Sequence, residues 1–308
     1  MSRVYWMDLD RLGPDNSVGR KIERLLEAAG AAQALNQQMR VSVKVNTSED
    51  GYEYGLRPVF VRSAARVAAE ASRESPIVCD GLKLVDYRRR AKGHEFMDVA
   101  RGKGYTSQAL GGNFVINGGY SGDEGNAYPC RLPDSELGGV EVGTAVCRTD
   151  ALWVLSHVTL HPLFGLSGAL LNGGFECLVG RERMRVLDGI NPYLFNGRRP
   201  APEALARFRR RALEGHLGVR EAMEGRVFYV NYLWDVTPHP EYFPFSAGPV
   251  APNLGFLASR DPVALDAATW ALLRDAAPAV AIEPFAAVLA EAEALGLGSR
   301  DTDVERMS

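Results

Sequence analysis

Short apolar runs alternate with stretches of helical period through most of this chain, and that alternation leaves few architectures open. VYWMDLD (4–10) and MRVSVKVN (39–46) read as strands. Between them, SVGRKIERLLEAAGAAQAL (17–35) places Ile22, Leu25 and Leu26 on one helical face, with Ser17 as its N-cap. RPVFVRSAARVAAEAS (57–72) carries its proline in the first turn, where a missing N–H costs little, and reads as a second helix. PIVCDG (76–81), HEFMDVARGKG (94–104) and ALGGNFVINGG (109–119) continue as strand, helix and strand. A strongly apolar strand, DALWVLSH (150–157), is followed by a glycine-rich apolar stretch (161–180) and a charged helix (202–218). Strand GRVFYVNYLWDV (225–236), a loop with five prolines (237–253), a strand, turn and helix over 254–277, a helix over 283–298 and a polar tail complete the chain.

This pattern predicts an α/β fold with a largely parallel sheet. It divides the 308 residues into an N-terminal α/β domain (1–215) and a smaller α/β C-terminal portion (216–308). Ligands of such sheets sit beyond the carboxyl ends of the strands. Asp8, Lys44, Asn46, Asp80 and Asn117 fall at those ends and give them a polar rim.

Composition removes several function classes. Lys and Arg total 35 against 38 Asp and Glu, a net charge of −3, so there is no electrostatic footprint for nucleic acid. No run approaches the roughly 20 apolar residues a membrane helix needs. The opening MSRVYWMDLDR has two acids and no apolar run, unlike a signal peptide, so a cytoplasmic protein is expected. The four cysteines form no C-x-x-C pair, and neither a disulfide framework nor a cysteine-held iron–sulfur cluster is expected. Homo-oligomerisation stays open. Only 5 of the basic residues are Lys, against 30 Arg, so a Lys inside an apolar stretch calls for a reason.

The residues with chemical potential cluster after strands. Ser156-His157-x-x-x-His161 is the sharpest local feature. It reads as a proton-transfer pair in a loop, as two ligands of a divalent metal, or as one buried and one surface histidine. Lys44 and Arg57 bracket a strand-to-helix loop and read either as holders of a carboxylate or phosphate or as two solvated surface cations. Asp80 at a strand tip is placed to orient a base, although Asp-Gly is also a common turn. His94 opens a helix. No G-x-G-x-x-G and no G-x-x-x-x-G-K-[ST] is present, which leaves nicotinamide and nucleoside triphosphate sites without support.

Four blocks carry a resemblance: MRVSVKVN…GLRPVFVR (39–62), DALWVLSHVTLHPLFGLSGALLNGG (150–174), FYVNYLWDVTPHPEYFPFSAGPVAPNLGFLASRDPVALDAA (228–268) and EAEALGLGSRD (291–301). Together they resemble the family known as domain of unknown function 362, itself distantly similar to lactate racemase. The resemblance implies a lactate-racemase-like α/β fold. Lys44, Arg57, Asp80, His94, Ser156, His157, His161, Gly165, Gly168, Asn172 and Cys177 stand where the family has the same residue. Many members carry an inserted C-x-x-C-x-x-C-x-x-x-C-P motif for two iron–sulfur clusters. The place for it, about 181–215, has no cysteine, so a ferredoxin-type electron carrier is not expected. Leu171 replaces the family's usual Lys, which the resemblance links to anchoring of a nickel-pincer nucleotide. Thr159 and Gly118 replace a Lys and an Asp.

What remains suits a small-molecule enzyme of isomerase, lyase or cyclase type, in a biosynthetic setting. Lys44 and Arg57 are expected to hold an anionic substrate, with Asn46, Ser156, Asn172 and His94 adding contacts. His157 and His161 are expected to move its protons, with Asp80 orienting one of them. No cofactor is expected. The alternatives are a divalent ion on His157 and His161, or a non-catalytic binding or scaffold protein. The scheme requires the imidazoles of 157 and 161 to share one hollow with the cations of 44 and 57.

Overall fold

The computed structural model describes residues 1–84, 89–190, 200–280 and 285–308. Its strands, in chain order, are β1 (Ser2–Met7), β2 (Val41–Lys44), β3 (Ile77–Gly81), β4 (Asn113–Asn117), β5 (Gly125–Pro129), β6 (Gly139–Gly143), β7 (Ala151–His157), β8 (Thr159–His161), β9 (Gly165–Ser167), β10 (Val227–Leu233), β11 (Gly255–Ser259) and β12 (Thr302–Met307). Eight of them form a single sheet in the order β12-β1-β11-β10-β7-β2-β3-β4. β10, β7, β2, β3 and β4 run parallel. β11 runs antiparallel to both β10 and β1, and β12 pairs parallel with β1. The fold is therefore the expected α/β class, and its sheet draws strands from both sides of residue 215.

Every residue of β2, β7 and β10 is buried, as a parallel strand covered on both faces requires. Alternate residues feed two apolar layers. Val43, Trp153, Leu155 and Val230 pack with Ile22, Leu25, Phe60 and Val61 from helices Val18–Ala28 and Pro58–Ser72. Leu152, Val154 and Tyr229 pack on the other side with Leu170, Leu213, Val263 and Leu265. Helices Pro202–Ala222 and Pro262–Ala276 supply three of these. The carboxyl ends of β2, β3, β4 and β7 place Lys44, Asp80, Asn117 and His157 at the same end of the sheet.

Two expectations need correction. The helix begun at Ser17 ends at Ala28 rather than running to 35, because Gly30 takes a left-handed φ of 67° and a separate 3₁₀ turn follows (Ala31–Ala34). The polar tail is strand β12. Its apolar content is low because an edge strand is held by backbone pairing with β1 on one side, and its charged side chains face solvent. The hairpin β5–β6 also goes unpredicted, for β5 is mostly exposed and carries no apolar alternation. Within the helix expected over 283–298, residues 283 and 284 lie outside the described residues, and Phe285–Ala294 is helical.

Candidate active site

The site is built around the tip of β3. Asp80 is fully buried. Its Oδ2 accepts from the Thr47 amide and hydroxyl and from Arg90 Nη2, each at 2.9 Å. Its Oδ1 accepts from the Gly81 amide at 2.8 Å and from Lys44 Nζ at 3.2 Å. Lys44 Nζ also donates to the Val45 carbonyl and to Asn46 Oδ1, both at 2.6 Å. Burial pushes the Asp80 carboxyl up, but Lys83, Lys44 and Arg90 outweigh it and hold the group well below the usual carboxylate range. Asn46 then donates to Asn172 Oδ1 at 2.7 Å, which joins the loop after β2 to the glycine-rich segment after β9.

Lys83 carries this network into a cavity. Its Nζ lies 3.6 Å from Asp80 Oδ1 and 3.5 Å from Glu176 Oε2. Arg183 Nη1 is 3.7 Å from the same Glu176 oxygen. Lys83, Glu176, Arg183, His161 and Tyr242 form the polar part of a pocket with about 500 Å³ of empty space, part of it open to solvent. Leu163, Phe175, Leu187 and Phe208 form its apolar wall. Burial lowers the pKa of Lys83 against the pull of Asp80 and Glu176. For Glu176, burial acts upward, but Lys83 and Arg183 prevail and keep it a carboxylate.

His161 enters this pocket at the end of β8. Its Nδ1 accepts from the amides of Leu163 (3.3 Å) and Phe164 (3.1 Å). That fixes the ring proton on Nε2, which faces the Tyr242 hydroxyl at 3.4 Å. Burial lowers the pKa of His161 to about 4, so near neutral pH the ring presents an uncharged N–H donor.

The expected four-group hollow does not exist. His157 is 1% exposed and lines no part of the cavity. Its Nδ1 faces Glu241 Oε1 at 2.9 Å, and its Nε2 faces the carbonyls of Trp234 (2.9 Å) and Asp235 (3.2 Å). With both nitrogens committed to acceptors it cannot ligate a metal jointly with His161. Arg57 is half-exposed, paired with Asp235 at 2.9 Å and stacked 4.9 Å from the Trp234 ring, in a separate cleft with Tyr52 and Lys103. His94 is exposed, and its Nδ1 lies 3.2 Å from the Tyr120 hydroxyl. Asp80 and Lys44 meet, but beneath the pocket rather than on its surface. Ser156 and Asn172 are buried, and Ser156 Oγ and Asn172 Nδ2 have no hydrogen-bond partner among the described residues.

The description of domain of unknown function 362 matches residues 41–271. The chain belongs to this family. No functionally curated protein matches it. Among solved structures it is similar to the lactate racemase apoprotein from Thermoanaerobacterium thermosaccharolyticum, with 15% identity, a TM-score of 0.41, and coverage of 75% of this chain and 50% of that one. It is also similar to a structural-genomics protein from Thermotoga maritima, with 13% identity, a TM-score of 0.40, and coverage of 78% and 55%. The chain thus spans about half the length of the structures it matches.

Leu171, which stands where the resemblance implies a lysine, is 2% exposed in the apolar core and offers no amine there. Among the described residues no three His, Cys, Asp or Glu side chains gather as a metal-holding group. Lys83, Arg90, Arg183 and Tyr242 went unnoticed as site residues in the sequence. Lys83 had a signal, as one of only five lysines and three positions beyond a strand-tip aspartate. The two arginines had none, being 2 of 30.

Proposed function

We propose that this member of the family is an acid–base enzyme acting on a small carboxylate, by isomerisation, elimination or ring closure beside that group. The supporting observation is Lys83, held between Asp80 and Glu176 in a pocket that also contains His161. Among the residues lining the pocket two cations (Lys83, Arg183) face one carboxylate (Glu176), and that excess favours an anion. In this scheme Arg183 and Lys83 attract the substrate carboxylate. Lys83, its pKa depressed by burial, exchanges a proton with the adjacent carbon or oxygen. Neutral His161 donates its Nε2–H to charge developing on oxygen. The apolar wall of Phe175, Leu187 and Phe208 takes the rest of the molecule.

The test is incubation in D₂O with a panel of 2-hydroxy, 2-oxo and unsaturated carboxylates, followed by NMR. Deuterium appears next to the carboxylate of at least one compound with the wild type, and is lost by about 10²-fold or more in Lys83→Met. Exchange by Lys83→Met at the wild-type rate overturns the assignment. So does a panel in which no compound exchanges or raises the melting temperature.

A further inference from the structure

His157 is the most conspicuous residue of the Ser-His-x-x-x-His motif, and it stands outside the pocket. Its two ring nitrogens face only oxygen acceptors: a carboxylate at Nδ1 and two carbonyls at Nε2. A ring so placed keeps both protons and is an imidazolium. Its carboxylate partner, Glu241, is 2% exposed and belongs to the proline-rich strap after β10. That strap is fastened at further points. The Glu241 carbonyl accepts from the Glu49 amide at 2.9 Å, and the Thr237 carbonyl from the Leu160 amide at 2.9 Å. The Tyr52 hydroxyl lies 2.6 Å from Thr237 Oγ1 and donates to the His239 carbonyl at 2.7 Å. Among the described residues, Arg90, Tyr52 and Tyr105 also feel the charge of Glu241, and Glu49 adjoins it through its backbone. The next residue along the strap is Tyr242, whose hydroxyl lies 3.4 Å from His161 Nε2 and whose ring meets the imidazole edge-on at 5.8 Å.

We infer that His157 is a positioning residue: it grips Glu241, and Glu241 sets Tyr242 into the lining of the pocket against His161. The placement of Tyr242 stands on this geometry alone. Its consequence, that the strap shapes the pocket in which Lys83 and His161 act, rests on the acid–base reading above. Glu241 couples the two histidines of the motif, one as fastener and one as pocket donor, across 84 residues of sequence.

The test uses the full chain labelled with 3-fluorotyrosine and 15N-histidine, and needs no substrate. The ¹⁹F resonance of Tyr242 is assigned by its loss in Tyr242→Phe. In His157→Asn and in Glu241→Gln it moves toward the position seen in denatured protein, while the resonances of tyrosines that do not touch the strap, such as Tyr128 and Tyr229, hold. Cys147→Ser, before the amino end of β7 and so at the opposite end of that strand from His157, leaves it in place. In the wild type at pH 7, both nitrogens of His157 are protonated. A Tyr242 signal unmoved in either folded variant overturns the inference, and so does a neutral His157 ring in the wild type, which can be read even where His157→Asn does not fold. Loss of deuterium exchange in Lys83→Met with an unmoved Tyr242 signal separates the two proposals.

Discussion

Lys44 and Asp80 meet at 3.2 Å with neither side chain exposed. Two buried charges are tolerated here because each has further partners: Asp80 accepts from Arg90, Thr47 and Gly81, and Lys44 donates to Val45 and Asn46. Removing the carboxylate strands three cations in a low-dielectric floor. Asp80→Asn is expected to cost about 3–5 kcal/mol in urea unfolding. The folded pKa of Asp80 lies below its unfolded value of about 3.9, so its contribution is present above that pH and is lost as pH falls further. The acid limb of a stability–pH curve is therefore shallower in Asp80→Asn. An unchanged limb and a cost under about 1 kcal/mol refute the role.

Most of the parallel sheet was legible because its strands are short patterned runs bounded by loops: VSVK alternates apolar and polar residues, and ALWVLSH opens on five apolar residues. The tail strand TDVERM was not, since its stabilisation comes from β1 backbone groups that leave no trace in its side chains. The site was legible only in part. Asp80, Lys44, Asn46 and Asn172 were found from strand ends and the family pattern, and they form one hydrogen-bonded chain. The partner of His157 could not be read, because Glu241 lies in a proline-rich loop whose path depends on tertiary contacts. Successive residues of a strand also point to opposite faces, so Ser156 and His157 never share a pocket.

Stability should fall on mild acidification. His216 is buried, with Nδ1 donating to the Leu170 carbonyl at 2.9 Å and Nε2 accepting from the Tyr229 hydroxyl at 2.7 Å. Burial lowers its pKa to about 4, as it does for His161. A histidine with a depressed folded pKa favours the fold above its unfolded value of about 6.5 and progressively less as pH falls toward 4. For His216 this amounts to on the order of 3 kcal/mol between pH 7 and 4, and less for His161, which lines a hydrated pocket. His157 has the opposite sign. Its pKa is raised despite burial because Glu241 pairs with it, so its contribution is full below about 6.5 and is lost as pH rises through the folded value. Urea midpoints at pH 7 and pH 5 check the sum, and His216→Phe, if folded, flattens the difference.

Gly168 predicts a steric failure. A Cβ there stands 2.4 Å from Asp266 Oδ1. That carboxylate accepts from the amides of Ala169 and Leu170, at 2.8 and 2.9 Å, and from Asn231 Nδ2 at 2.7 Å. Asp266 thereby satisfies the first two N–H groups of the short helix Ala169–Asn172 from a distant part of the chain. Gly168→Ala must push it away, at a cost of roughly 1–3 kcal/mol by overpacking and lost hydrogen bonds. The backbone itself is extended at this position, so the cost comes from contact and not from φ. An alanine variant as stable as wild type contradicts the model of capping.

The cysteines predict a chemical reactivity pattern. Cys79, Cys130 and Cys177 are buried and unpaired, and burial pushes their thiols up to about 11, 11 and 12. Each thiol is engaged locally: Cys79 lies 3.3 Å from Ser42 Oγ, Cys130 donates to the Glu214 carbonyl, and Cys177 donates to the Asn172 carbonyl. A thiol both protonated and enclosed is a poor nucleophile and a poor metal ligand. Cys147 is partly exposed, although burial raises its pKa as well. At pH 8 the native protein is therefore expected to release at most one equivalent from Ellman's reagent, assigned to Cys147 by its loss in Cys147→Ser, and four after denaturation. Prompt reaction of a second thiol that persists in Cys130→Ser means that Cys79 or Cys177 is reachable from the Lys44 network, and a dry floor beneath the pocket is then refuted.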